Sequence, residues 1–174
     1  MSKAYLIGIV CGIAMGVIFL VIAMKVSKTD GSVRCKFDER QKIVRATGFK
    51  FAFFTLLIYD LAYGCLHSAT DRRLMDDLTG IFIGCCLSIV VYVFYAVWNE
   101  GYFSINENPK RVLVIFAVVA ICNTAIGIRN IVHDEVVKDG MLTSECLNLV
   151  CGITFIAIFA IIFIKWQVSK READ

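Results

Sequence analysis

The polar side chains best suited to chemistry lie within long apolar runs of this sequence. Asp60 is the one acid well inside such a run, and His67 closes the same run. A later run carries Asn123 and ends close to Arg129. A carboxylate in a bilayer costs about 2.5–3.5 kcal/mol on insertion scales, which indicates a function. We expect a small polar pocket in which Asp60 faces Asn123 or pairs with Arg129. The alternatives are a protonated or paired packing residue and a proton or ion path, although no second intramembrane acid supports such a path.

The eight cysteines form a second candidate group. They include no CxxC motif and no Cys-to-His zinc spacing, which disfavours a disulfide-generating oxidoreductase and a zinc site. Five lie about six to eight residues below the outer ends of their runs, roughly 9–12 Å and level with Asp60; they are Cys11, Cys85, Cys86, Cys122 and Cys151. Glycines share this depth, so close helix packing is the leading interpretation. A soft-metal site for Cu(I) and a redox or lipidation role are the alternatives.

Two further features of the sequence are candidates for chemistry. Cys35 lies in a basic loop, where it is interpreted as an ordinary reduced thiol, with an activated or acylated thiol as the alternative. The acids of HDEVVKDG, residues 133–140, match neither HExxH nor an EF-hand and indicate a solvated loop. GxSxG, a phosphate-binding glycine loop and paired carboxylates are absent from the sequence. The sequence therefore predicts no enzyme, no bound metal and no cofactor.

The elements that hold these residues are membrane spans. Hydrophobic residues make up 59% of the 174 positions, against about 45–50% in soluble proteins. Five runs approach or reach the roughly 20 residues that a span needs, namely 4–24, 49–66, 78–98, 112–128 and 146–166. The first is read as a retained helix because its apolar core exceeds that of a signal peptide, with cleavage as the alternative. We expect residues 1–174 to form one membrane domain, an all-α bundle of five transmembrane helices.

The basic residues predict the orientation of this bundle. Cytoplasmic loops carry an excess of Lys and Arg. If the loop between the first two spans is cytoplasmic, that side carries 13 of the 18 basic residues, and the other five are Lys3, Arg72, Arg73, Arg129 and Lys138. The N-terminus is therefore expected outside the cell membrane and the C-terminus in the cytoplasm. The asymmetry indicates contact with anionic lipid headgroups and not with nucleic acid.

The stretch CKFDERQKIVRATGFK, residues 35–50, is a dense charge cluster between two apolar runs. Asp38 followed by Gln41 matches a capping box, and Glu39 lies in the first turn, where the helix dipole favours it. Lys42 can pair with Asp38 or Glu39. A continuous helix over 38–66 would be about 43 Å long, against a hydrocarbon core of about 30 Å. We expect the second helix to extend into the cytoplasm and to contact lipid or a partner through Asp38, Glu39, Arg40, Gln41, Lys42 and Arg45.

Shorter patterns predict the connections. SATD, residues 68–71, matches a capping box for a short outer helix that continues to Asp77. The KDG sequence at 138–140 indicates a turn. Thr143 or Ser144 is placed to cap the fifth span.

KFDERQ, followed by a basic, glycine-containing helix entry and then FKFAFFTLLIYD, resembles a group of small multi-span membrane proteins of Gram-positive bacteria that share a DERQ signature. The resemblance covers residues 36–60. It implies a bacterial integral membrane protein, and since the group has no assigned activity it implies no catalytic residue. The sequence departs from the expected pattern by placing Ala46 and Thr47 between Arg45 and Gly48.

Three classes of function remain open on these grounds. The leading expectation is a non-enzymatic accessory, regulatory or immunity-type protein that binds a protein partner on its cytoplasmic face, or lipid, either alone or as a homo-oligomer. The second is a transporter or small-ligand binder that uses the outer-leaflet polar layer around Asp60. The third is a membrane-embedded enzyme, which the missing motifs disfavour.

Overall fold

The computed structural model describes residues 3–70 and 73–171, and its architecture is all-α. Five helices are long and apolar enough to cross a membrane. They are α1 Lys3–Ser27, α2 Glu39–Ala69, α3 Asp77–Trp98, α4 Pro109–Val132 and α5 Leu147–Arg171. A 3₁₀ turn, Ser144–Cys146, leads into α5. The prediction of a polytopic helical membrane protein is confirmed, and each predicted span lies within one of these helices, the fifth including the 3₁₀ turn.

The second helix is much longer than its apolar run. Its 31 residues measure about 46 Å, while a hydrocarbon core is about 30 Å thick. The predicted extension is therefore present in full, because no residue in the basic stretch interrupts the helix. At the other end α2 continues through Ser68, so the predicted short outer helix is wrong in the part described. Residues 73–76 are not helical, Asp76 caps α3 instead, and residues 71 and 72 lie outside the described residues.

The chain forms two compact units. The first contains α1, the loop that follows it to Phe37, and Phe103–Ile115. The second contains Asp38–Tyr102 and the chain from Phe116 onward. Helix α4 begins in the first unit and continues into the second.

Within the second unit, α3 packs against both α2 and α5. Gly80, Gly84 and Ser88 recur every fourth residue along α3 and are all buried. Such a row of small residues lets membrane helices approach closely. A Cβ atom on Gly80 would lie 2.5 Å from the ring of Tyr63, and one on Gly84 would lie 2.5 Å from the ring of Tyr59. The glycines therefore make room for two tyrosine rings of α2.

Small residues also allow close helix packing in the second unit where α4 contacts α5. A Cβ atom on Gly127 would collide with the backbone of Leu149, and Gly152 lies directly against Thr124. The rings of Phe116 and Phe155 meet edge to face, with their centroids 5.4 Å apart. Small residues set the helix separation, and the aromatic pair fills the space beyond it.

A hairpin connects α4 to α5. Strand β1, Val137–Lys138, pairs antiparallel with β2, Met141–Leu142. Asp139 and Gly140 between them both have positive φ, as a tight two-residue hairpin turn requires. The predicted KDG turn is confirmed. Thr143 then caps the 3₁₀ turn by accepting a hydrogen bond from the Glu145 amide, as predicted.

Candidate functional site

The start of α2 is fixed by the predicted capping box. The Asp38 carboxylate accepts a hydrogen bond from the Gln41 backbone N–H at 2.6 Å. The Gln41 side-chain oxygen accepts one from the Asp38 N–H at 3.3 Å. Lys42 pairs with Glu39 at 2.6 Å, one of the two partners proposed for it. The capping box and this ion pair are confirmed.

The same turns of α2 also contact the loop after α3, and we term this contact the clamp. Its α2 members are Arg40, Gln41 and Arg45, and its loop members are residues 100–102. Arg40 pairs with the Glu100 carboxylate at 3.4 Å, and the Gln41 amide donates to the Glu100 carbonyl at 3.5 Å. Arg45 donates to the Tyr102 carbonyl at 3.3 Å. The stretch predicted to contact lipid or a partner is therefore also a tertiary contact within the chain.

The loop is shaped to fit this contact. Glu100 has a φ of 60°, in the left-handed region that few non-glycine residues adopt. Gly101 follows it and is buried against α2, where a Cβ atom would lie 2.5 Å from the Val44 side chain. The loop backbone can approach α2 this closely because residue 101 has no side chain.

Two further interactions extend the clamp. Lys165 of α5 lies 3.8 Å from Glu100, so one carboxylate meets basic side chains from two helices. The Arg45 guanidinium lies 6.0 Å from the ring centroid of Phe49 and 5.8 Å from that of Tyr92, within cation–π range. Those two rings stack on one another, with centroids 4.5 Å apart. The clamp thereby ties the ends of α2, α3 and α5 together within the second unit.

The sequence does not predict the clamp, although one pattern indicates the turn that forms its loop. Trp98 marks the end of an apolar run and is followed at once by NEG, residues 99–101, which carries an acid and a glycine. An acid beside a glycine after a helix indicates a turn. The pattern does not predict that this turn contacts α2, because two of the three acceptors in the clamp are backbone carbonyls, which every residue has.

The first unit holds a second polar arrangement, centred on the Asn106 side chain, which we term the Asn106 cluster. Asn106 is 6% exposed. Its amide group donates to both carboxylate oxygens of Asp30, at 3.2 and 3.1 Å, and to the Arg34 carbonyl at 2.9 Å. Its oxygen accepts from the Lys36 N–H at 3.1 Å and from the Ser104 hydroxyl at 3.0 Å. One side chain therefore joins the loop after α1 to the loop before α4.

The cluster also sets the electrostatics of Asp30. Hydrogen bonds from the backbone and side chain of Ser32, then from Asn106 and Lys36, hold the pKa of the Asp30 carboxyl far below its usual value. Lys36 completes the arrangement as an ion pair, 3.1 Å from Asp30. The site is therefore built around an ionised carboxylate.

Backbone contacts reinforce the cluster. The Thr29 N–H donates to the Asn106 carbonyl at 3.0 Å, and the Asn108 N–H to the Ser27 carbonyl at 2.8 Å. Arg111 donates to the carbonyls of Val26 and Lys28 at 3.3 and 3.1 Å. These carbonyls belong to the end of α1 and the residue after it, so Arg111 serves as a C-terminal cap.

The residues of the predicted outer-leaflet pocket are not joined to one another. Asp60, His67 and Arg129 are exposed, whereas Asn123 is partly buried and donates to a carbonyl one turn earlier in its own helix at 2.8 Å. Within the described residues, Asp60 has no hydrogen bond or ion pair to Asn123 or Arg129. The His67 ring lies 6.3 Å from that of Tyr63. A ligand-binding role for these residues stays a prediction.

The cysteine layer is divided among different environments. Cys86 is buried and lies beside the half-buried Cys151, and Cys85 is also half-buried. Cys11 and Cys122 are exposed on their helices. Among residues 3–70 and 73–171, no three Cys, His, Asp or Glu side chains are grouped so that they could share a metal ion. Gly84 and Gly152 at this depth lie in close helix contacts, while a Cβ atom on Gly12 would have no neighbour within 4 Å.

Comparison with known proteins gives no relative: no family model, curated protein or solved structure matches the chain significantly. The resemblance to the DERQ group therefore stays a prediction.

Proposed function

We propose that this chain is a non-enzymatic accessory, regulatory or immunity-type membrane protein that acts by binding a protein partner or anionic lipid through the first turns of α2. One observation carries the proposal. The clamp fixes the backbone of these turns, while the side chains of Glu39, Arg40 and Lys42 remain 86%, 71% and 58% exposed. A rigid helix end with exposed charges is suited to recognition because little conformational entropy is lost on binding.

The basic asymmetry supports a cytoplasmic location for this surface. In that orientation the N-terminus lies outside a bacterial cell membrane, in keeping with the DERQ resemblance. Arg45 and Lys50 lie nearer the apolar run of α2 than Glu39 does. They are therefore placed to meet anionic headgroups. A protein partner would meet the first turn.

Charge reversal at Lys42 tests the proposal directly. Among the described residues the Lys42 side chain has its hydrogen bond and ion pair with Glu39 and none with the clamp, so Lys42→Glu changes the exposed surface and leaves the clamp in place. We expect about a tenfold loss of partner or anionic lipid recovered with the tagged protein from native membranes, the effect of about 1.4 kcal/mol. Protein and lipid are quantified separately by mass spectrometry, which distinguishes the two kinds of partner.

Two controls separate recognition from folding. Lys170→Glu makes the same charge change near the end of α5 and should leave recovery unaltered. Exchanging the clamp charges, Arg40→Glu with Glu100→Arg and Lys165→Glu, keeps both ion pairs of the clamp but reverses the exposed charge at position 40, so it should lose the partner while retaining the melting temperature. Unchanged recovery in both Lys42→Glu and the charge-exchanged variant would contradict the proposal.

A second candidate function is transport or small-ligand binding around Asp60. The observation that favours it is an exposed carboxylate, within a span, that has no hydrogen bond or ion pair in the described part of the chain. An intramembrane acid without an internal partner is either protonated or paired from outside, by a cation, a ligand or a second copy of the chain.

Proton movement in reconstituted vesicles tests the second candidate. If Asp60 lies on an ion path, wild-type protein should dissipate an imposed pH gradient, followed with a pH-sensitive dye, and Asp60→Asn should abolish the effect. Asp77→Asn, at the first turn of α3, is the matched control. Equal dissipation by wild type, Asp60→Asn and protein-free vesicles would remove the ion path.

A further inference from the structure

We propose that Cys35 is a peroxide-reactive thiol and that Lys28 activates it and then bonds to its oxidised form. The pair belongs to the first unit and lies beside the Asn106 cluster. It takes no part in the clamp, so this modification site is independent of the partner binding proposed above.

The geometry of the pair is unusual for a lysine. Lys28 is 2% exposed, one of the most buried large side chains in the described chain. Its Nζ donates to Cys35 Sγ at 2.8 Å, and within the described residues it has no other hydrogen bond or ion pair. The backbone of Lys28 is held by its bridge to Glu107 and by Arg111 on its carbonyl. The amine is thus fixed beside the sulfur.

The burial of the Lys28 ammonium makes the neighbouring Cys35 sulfur reactive. An ammonium group removed from water is costly unless a negative charge or strong acceptor compensates it. Cys35 Sγ is the acceptor that the structure supplies, and the Lys28 ammonium is placed to stabilise negative charge that develops on this sulfur as it reacts. The thiolate is the nucleophilic form of cysteine, and a base within hydrogen-bond reach marks an activated nucleophile. Cys35 is itself exposed, so a small oxidant can reach it.

The chemistry proceeds in two balanced steps. The Cys35 thiolate attacks one oxygen of hydrogen peroxide, the O–O bond breaks, and a sulfenic acid and hydroxide form. Sulfur is oxidised by two electrons and the peroxide is reduced. The hydroxide takes a proton from the Lys28 ammonium. The free amine then attacks the sulfenic sulfur, so that an S–N bond forms, the S–O bond breaks, and water leaves.

The product is a covalent Lys28–Cys35 bridge with two hydrogen atoms fewer than the reduced pair. It closes the loop of residues 29–34, which contains the Asp30 carboxylate of the Asn106 cluster. It also takes the Lys28 ammonium group out of the basic loop. A thiol reductant reverses the bridge by attacking sulfur, which restores the amine and the thiol.

Peroxide treatment of the full chain in lipid nanodiscs tests the proposal. Free thiols are blocked afterwards, and the digest is searched by mass spectrometry for residues 28 and 35 in one cross-linked peptide. We expect this peptide in the wild type at the summed mass of the two reduced peptides minus two hydrogen atoms. It should disappear after treatment with dithiothreitol.

Two lysine variants separate activation from capture. Lys28→Arg keeps the positive charge but lacks the amine, so Cys35 should react at a rate near that of the wild type and accumulate a sulfenic acid that dimedone traps. Lys28→Met removes both functions, so Cys35 oxidation should slow by about tenfold, the effect of losing one charge-assisted hydrogen bond of about 1.4 kcal/mol to the reacting sulfur. Thermal melting in the same nanodiscs identifies variants that are misfolded.

The proposal is overturned if no bridged peptide forms in the wild type. It is also overturned if Cys35 reacts in Lys28→Arg or in the wild type no faster than in a folded Lys28→Met variant. Because Lys28→Arg retains the charge, it remains informative even where Lys28→Met does not fold.

Discussion

At the scale of single residues, the Asn106 side chain is the centre of the polar contacts in the first unit. Its buried amide is bonded on both sides, and the groups it joins come from two separate loops. A buried polar group of this kind is stabilising only while every partner is present, since each group left unpaired costs about 1–3 kcal/mol. The Asn106 cluster is therefore sensitive to the loss of a single side chain.

Asn106→Ala should lower the free energy of unfolding by about 1–3 kcal/mol, because the Lys36 N–H and the Arg34 carbonyl lose their shared partner. Chemical unfolding in detergent measures the change. Asn123→Ala is the matched control and should have a much smaller effect, since Asn123 bonds only within its own helix. Equal losses in the two variants would contradict the role assigned to Asn106.

Acid should weaken the Asn106 cluster through Asp30. The pKa of this carboxyl is lowered in the folded chain, so its ionised form stabilises the fold above the unfolded value of about 4. That contribution declines as the pH falls below about 4 towards the lowered folded value. Melting temperature measured between about pH 6 and pH 3 should therefore fall less steeply in Asp30→Asn than in the wild type. Parallel curves would show that Asp30 makes no such contribution.

At the scale of helices, the contact between α2 and α3 depends on tyrosine rings seated on glycines. Tyr63 lies on Gly80, Tyr59 lies on Gly84, and in the opposite sense Tyr92 of α3 lies 3.1 Å from the Cβ position of Gly48. In a bilayer, helix association rests on packing and not on the hydrophobic effect. Each ring therefore contributes through the contacts that the glycine opposite it permits.

Gly84→Ala should destabilise the α2–α3 contact by about 1–3 kcal/mol, because the new methyl group would lie 2.5 Å from Tyr59. Adding Tyr59→Ala should recover part of the loss, so the double variant should be more stable than the sum of the single changes. Gly64→Ala is the control, since a Cβ atom there has no neighbour within 4 Å. Unfolding in detergent provides the comparison, and strict additivity would argue against this contact.

At the scale of the whole molecule, the helices could be predicted from sequence and their contacts could not. Unbroken apolar runs determine the five spans, and the capping box at Asp38 and Gln41 works because both residues lie in one local turn. The clamp and the Asn106 cluster connect residues about 60 and 70–76 positions apart, often through backbone carbonyls. A carbonyl carries no residue-specific pattern, so these contacts appear only once the chain is folded.

The proposed orientation predicts how cysteines react in intact cells. In a variant whose sole cysteine is Cys35, a membrane-permeant maleimide should label the protein and an impermeant one should not. Lys138→Cys in a background without other cysteines should react with both reagents, because the hairpin after α4 would then lie outside. The reverse pattern would invert the proposed orientation.

The length of α2 has a consequence for ionic screening. Its first residue, Glu39, precedes the start of the apolar run at Phe49 by about 15 Å along the helix axis. Headgroups occupy only about 5–7 Å of that distance on each side of the bilayer. The first turn thus stands about one Debye length, roughly 8 Å at physiological salt, beyond the lipid surface. At that height the field of anionic lipid is strongly attenuated, so within the proposed function the charges of Glu39 and Arg40 are suited to recognise a protein and not the lipid surface.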